Sequence, residues 1–200
     1  MKRLFLPILI GIIFLSIAAS LSAGEVIFYG GAQKPGKLSW SDASPFEIVD
    51  DLKGDFGGTF GIRFSKGRAV GFEQGIGYSP QFAKPGVKAF QTDTNLIIQA
   101  PGKVAPYATA GIGLVRSWGQ DDLPASSDPG EIAAFVFSMG TNFAINYGGG
   151  LKIRRLAGPI GFNIDVRGYN LPGARVKLEE QSTEKGLSFI QTTAGLVISW

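Results

Sequence analysis

The sequence predicts an all-β fold, an eight-stranded antiparallel up-and-down transmembrane β-barrel. Three observations point there. Apolar and polar residues alternate at a period of two in eight segments, many of them about ten residues long, the length a tilted strand needs to cross a bilayer. The polar face of these segments mixes Gly with charged and amide residues. Gly is disfavoured inside strands, but the narrow interior of an eight-stranded barrel requires small side chains beside large ones. The connections alternate long and short along the chain, as in barrels with short periplasmic turns and longer extracellular loops.

The elements follow in order. Residues 1–23 read as a cleaved signal peptide: Lys2 and Arg3, an apolar stretch from Leu4 to Leu15, then small residues up to Ala23. A barrel domain is expected over 24–200. Its first, weaker strand covers Glu25 to Gly31. Phe60, Ile62 and Phe64 then oppose Gly61, Arg63 and Ser65, and Val70, Phe72, Ile76 and Tyr78 oppose Gly71, Glu73, Gly75 and Gly77. Leu96, Ile98 and Ala100 oppose Gln91, Asp93, Asn95 and Gln99. Pro106 to Leu114 at even positions oppose Tyr107, Thr109, Gly111 and Gly113. Phe143, Ile145, Tyr147 and Leu151 oppose Asn142, Asn146, Gly150 and Lys152. Ile160, Phe162, Ile164 and Val166 oppose Gly161, Asn163, Asp165, Arg167 and Tyr169. In the last segment Ile190, Thr192, Ala194, Leu196, Ile198 and Trp200 oppose Phe189, Gln191, Thr193, Gly195, Val197 and Ser199. Long connections are expected near 32–56, 79–88, 116–141 and 170–186, and short ones near 66–68, 101–103 and 155–158. An even strand number puts both termini on the short-turn, periplasmic side.

Composition removes whole classes of function. The chain has no Cys and no His. Disulfides, thiol chemistry, His-based metal sites and Ser-His-Asp hydrolysis are therefore excluded. No catalytic residue, metal or cofactor is expected. Removing Lys2 and Arg3 leaves 17 basic against 16 acidic residues, a net charge of +1. No basic run suggests a nucleic-acid partner.

The run Thr193-Ala-Gly195-Leu-Val-Ile198-Ser-Trp200 resembles the C-terminal signal read by the outer-membrane barrel assembly machinery. Thr193, Gly195, Ile198 and Trp200 hold the marked positions, with Trp in place of the commoner terminal Phe and Ile198 in place of a frequent aromatic. The segment from Asn95 to Leu114, with its tight turn, Pro106-Tyr107 and Gly111-x-Gly113, resembles the small OmpA/OmpX-type outer-membrane barrels. So do Asn146-Tyr-Gly-Gly-Gly-Leu-Lys152 and Gly161 to Tyr169. The resemblance implies insertion in the bacterial outer membrane, a periplasmic assembly route with chaperones, and contact with outer-membrane lipid and lipopolysaccharide. It covers the barrel only, and no peptidoglycan-binding domain is expected. It does not fix a function.

The inward-facing ionisable residues are Arg63, Glu73, Asp93, Lys152, Arg154, Asp165 and Arg167. Charges confined to a narrow lumen need partners. Arg63 is expected to pair with Glu73 across the first short turn. Lys152 or Arg154 is expected to meet the Asp165–Arg167 neighbourhood across the third. Gly148-Gly-Gly150 lacks the strand–loop–helix context of a phosphate loop. Asp121-Asp122, Glu179-Glu180, Arg175, Lys177 and Lys185 read as charges of the long loops. Phe28, Tyr29, Phe60, Tyr78, Phe90, Trp118, Tyr169 and Trp200 are candidates for interfacial aromatic girdles.

The reading is a monomeric, non-enzymatic outer-membrane barrel with a plugged polar lumen and a structural or loop-mediated interaction role. Two alternatives stand beside it. One is a narrow low-conductance pore. The other is a soluble periplasmic lipocalin-like carrier, with the same alternation turned inside out.

Overall fold

The computed structural model describes residues 24–41, 44–49, 56–82, 86–119, 140–176 and 185–200. The proposed signal segment, Asp121-Asp122, Lys177 and Glu179-Glu180 lie outside these residues. Among the described residues there are ten strands: β1 (Glu25–Pro35), β2 (Lys37–Ser41), β3 (Ser44–Val49), β4 (Gly57–Gly67), β5 (Val70–Ser79), β6 (Val87–Gln99), β7 (Val104–Gly119), β8 (Gly140–Ala157), β9 (Ile160–Val176) and β10 (Lys185–Ser199).

Eight of them close into an antiparallel barrel in the order β1-β10-β9-β8-β7-β6-β5-β4. Closure pairs β1 with both β10 and β4, so the main barrel sheet has no free edge. Every barrel strand also pairs with its chain neighbour, except that β1 reaches β4 past a separate two-stranded hairpin of β2 and β3. That hairpin lies within the span expected as a long loop at 32–56.

The alternation fixes the register and the facing. A one-residue slip would carry every apolar side chain into the lumen. In β9, Phe162 and Ile164 are exposed while Gly161, Asn163, Asp165 and Arg167 are buried. All three short connections overlap the expected spans, at 68–69, 100–103 and 158–159, the first and third displaced toward the C-terminus because β4 and β8 run on to Gly67 and Ala157. Glu25 pairs with Ser199 at that same end.

The long connections are shorter than the sequence suggests, because the strands run on. β8 has 18 residues, which at normal rise and tilt reaches about 45 Å along the barrel axis against an apolar band of roughly 25 Å. Arg175 and Lys185 accordingly stand in β9 and β10.

Glycine on the inner wall has a direct use. Gly61 and Gly77 face each other across β4 and β5. A Cβ added to either would stand 2.6 or 2.5 Å from the Tyr29 hydroxyl, closer than atoms pack. The two glycines form the slot that takes this ring.

Candidate functional site

Two surfaces carry the chemistry: the outer wall and the lumen. The outer wall is apolar around the barrel. Phe28, Phe72, Leu96, Ile112, Ile145, Ile164 and Leu196, from seven different strands, are all exposed, Phe72 by 67% and Ile164 by 48%. Water would not tolerate such a continuous belt on a monomer. Near the long-connection end, Phe60, Tyr78 and Trp118 touch in series, with ring centroids 5.5 and 6.3 Å apart. Trp200 is exposed at the opposite end. Tyr29 and Tyr169, expected in the girdle, are buried inside instead. Their odd positions on β1 and β9 share the face of Ile27 and Arg167, so the pleat turns them inward.

The lumen is packed in layers. At the long-connection end Phe82 turns into the barrel, edge-on to Phe189 at 5.0 Å, and Phe189 stacks on Tyr169 at 4.7 Å. Val87, Ala89, Val115, Ala144, Leu171 and Leu187 complete this apolar layer. Phe82 precedes β6 and was not visible as a lumen residue in the sequence. It lies in no alternating segment.

The charged layer fills the middle. Arg167 is its hub. Its guanidinium meets Glu73 at 2.7 Å, Asp165 at 2.8 Å and Asp93 at 3.7 Å. Arg63 contacts Asp165 at 3.2 Å and lies over the Tyr29 ring at 4.1 Å. The Tyr107 hydroxyl donates to Asp165. Asn95 donates to Asp93 at 2.5 Å and to Glu73 at 3.5 Å. Arg63, Glu73, Asp93, Asp165 and Arg167 are all fully buried. Four of them have a glycine across at least one neighbouring strand. Arg63 opposes Gly75, Asp93 lies between Gly75 and Gly113, Asp165 opposes Gly150, and Arg167 opposes Gly148. The missing side chains give the long polar ones their room, which explains why glycine and charge share one face.

The partners differ from those expected. Glu73 pairs with Arg167 and Arg63 with Asp165, across the lumen and not across the first turn. Lys152 and Arg154 both turn to Glu25, Lys152 at 3.0 Å. The register gives the reason: Lys152 opposes Asn163, while Asp165 opposes Gly150 two residues further from the turn. The structure thus adds Glu25 to the predicted residues. Four cations and four carboxylates are then present in this network. Glu25 escaped notice because it begins a weakly alternating segment.

Thr193 and Gly195 face the lumen, while Ile198 and Trp200 face outward.

No protein-family model matches the chain, and no curated protein does. Solved structures do. Neisserial surface protein A shares 14% identity over 88% of this chain and 97% of its own, with a TM-score of 0.54. The Pseudomonas aeruginosa outer membrane protein OprG follows at 13% identity, 89% and 96% coverage and a TM-score of 0.49. The N-terminal β-barrel domain of OprF from the same organism gives 13% identity, 88% and 99% coverage and a TM-score of 0.46. With eight antiparallel strands closed on themselves and a TM-score above one half to the Neisserial protein, the chain has the fold of the small eight-stranded outer-membrane barrels.

Proposed function

We propose that the chain is a non-enzymatic barrel of the bacterial outer membrane, with a plugged polar lumen and a structural role or one carried by its long connections. One observation supports this above all: the closed barrel turns its apolar residues outward and buries its ion pairs inside. In lipid, a closed barrel satisfies its backbone groups internally, and the outward belt meets a solvent as apolar as itself. The carrier reading needs the reverse facing. The pore reading needs an open lumen, whereas this one is filled by Phe82, Phe189, Arg63, Arg167 and Lys152. The non-enzymatic assignment is supported by a sequence without His or Cys.

In this reading both termini and the short turns face the periplasm. The chain inserts as a monomer, surrounded by outer-membrane lipid and lipopolysaccharide. Thr193, Gly195, Ile198 and Trp200 are the residues offered to the barrel assembly machinery after chaperone delivery.

The test is gel mobility of the mature chain, cold against boiled, after refolding with and without detergent micelles. A heat-modifiable, protease-resistant band formed only with detergent is expected. A folded, water-soluble monomer without detergent would overturn the reading.

A further inference from the structure

The short-turn end of the barrel opens into a cavity of about 870 Å³. Three turns and the strand ends beside them line it, and each contributes at least one base: Lys66 and Arg68 at the first, Lys103 at the second, Arg154 and Arg155 at the third. The acidic side chain in the lining is Glu25, and it is already engaged by Lys152 and Arg154. Arg68, Lys103 and Arg155 are exposed.

The three turns are held in one arrangement. Gln99 donates to the Gly67 carbonyl on the first turn at 3.0 Å and accepts from Arg154 at 2.7 Å. Arg154 also donates to the Gly102 carbonyl on the second turn at 3.2 Å. Its backbone N–H bonds Lys103 O at 2.7 Å. Arg155 sits at a φ of 51° beside the register shift of β8, a conformation that costs a non-glycine residue energy and persists where the surroundings impose it. Like charges gathered on a rigid rim repel one another, and an anion relieves that repulsion.

The neighbouring residues indicate which anion. Arg68 is followed closely by Val70, Lys103 by Val104 and Arg155 by Leu156. All three aliphatic side chains are more than half exposed. Val70 and Val104 share the outward face of Phe72 and Ile112, so beside the first two turns a cation stands next to an aliphatic group that continues the outer belt, and at the third Arg155 stands beside exposed Leu156. Hydrocarbon beside the aliphatic group puts the cation at the level of lipid phosphates. Arg is matched to phosphate by its planar fork of donors.

We propose that this vestibule is a binding site for a phosphate-bearing anion, held by Arg68, Lys103 and Arg155 and preorganised by the Gln99–Arg154 link. The anion is the headgroup of an acidic phospholipid in the surrounding leaflet. This rests on the membrane reading above.

The experiment is native mass spectrometry of the refolded barrel, released from micelles containing equal amounts of phosphatidylglycerol and phosphatidylcholine. Wild type is expected to retain phosphatidylglycerol selectively. The triple variant R68Q/K103Q/R155Q is expected to bind it roughly a hundredfold more weakly, and Q99A to lose part of the selectivity with every charge in place. Equal retention of the two lipids by wild type together with no base-dependent pyrophosphate binding, or unchanged selectivity in the triple variant, would overturn the proposal. A second arm adds inorganic pyrophosphate. Pyrophosphate binding that requires the three bases, without lipid selection, would support the site and reassign it to a soluble phosphate. Gel mobility of each variant runs in parallel. A variant that is still heat-modifiable but unselective reports on the vestibule alone, whereas a loss of detergent dependence reports failure of the membrane reading.

Discussion

Glu73 and Arg167 meet at 2.7 Å from opposite walls of the barrel: β5 and β9 are four strands apart in the closed sheet. The contact acts as a strut. It joins residues 94 positions apart in sequence, and it shares its guanidinium with Asp165 and Asp93. Removing a buried ion pair as a unit is often tolerated, but removing one partner leaves a charge without compensation.

Arg167→Met leaves Glu73, Asp93 and Asp165 packed together with Arg63 as their nearby cation. A loss of about 3–5 kcal/mol is expected, read from urea unfolding in phospholipid vesicles. Adding Glu73→Gln to Arg167→Met should recover part of it. Equal stability of Arg167→Met and wild type would mean that the layer relaxes freely.

Glu25→Gln strands Lys152, which is fully buried. Glu25 itself is partly exposed, so the expected loss is smaller, roughly 2 kcal/mol. The double variant Glu25→Gln/Lys152→Met should be more stable than Glu25→Gln alone. Additive losses in this cycle would show that the two residues do not couple.

Ile164 stands mid-strand on the outer face, beside Asp165 on the inner. Ile164→Arg should hinder insertion by about 2–4 kcal/mol if the belt meets the bilayer midplane. Folding efficiency into vesicles measures this, and unchanged efficiency would contradict the facing of β9.

Gly77→Ala pushes a methyl group against the Tyr29 hydroxyl. Overpacking of this kind costs about 1–3 kcal/mol. Tyr29→Phe removes the obstructing oxygen, so Gly77→Ala should cost less in that background. Thermal melting of the four combinations gives the coupling directly.

The packed lumen also predicts no stepwise current in planar bilayers at high salt. Phe189→Ser with Arg167→Ser should be the first combination to admit ions, since it thins both the apolar and the charged layers. Clear conductance by wild type would favour the pore reading.

The sequence by itself determined the barrel, the strand facing and the three short turns. These rest on local rules: the two-residue period is a property of the pleat, and a turn of a few residues needs only its own Gly and neighbours. It also placed all seven of the predicted charged residues on the inner face, since facing follows from parity along one strand. What only the tertiary structure decided is who meets whom. Arg63 finds Asp165 and not Glu73, and Lys152 finds Glu25, because closing the sheet brings opposite walls within side-chain reach. Distances across a closed barrel depend on tilt, shear and the glycines that give long side chains room, and none of these is written in a single strand. The same holds for Phe82, carried into the lumen by a connection without periodicity, and for the basic vestibule, assembled from three turns that are far apart in the chain and adjacent only once the barrel is closed.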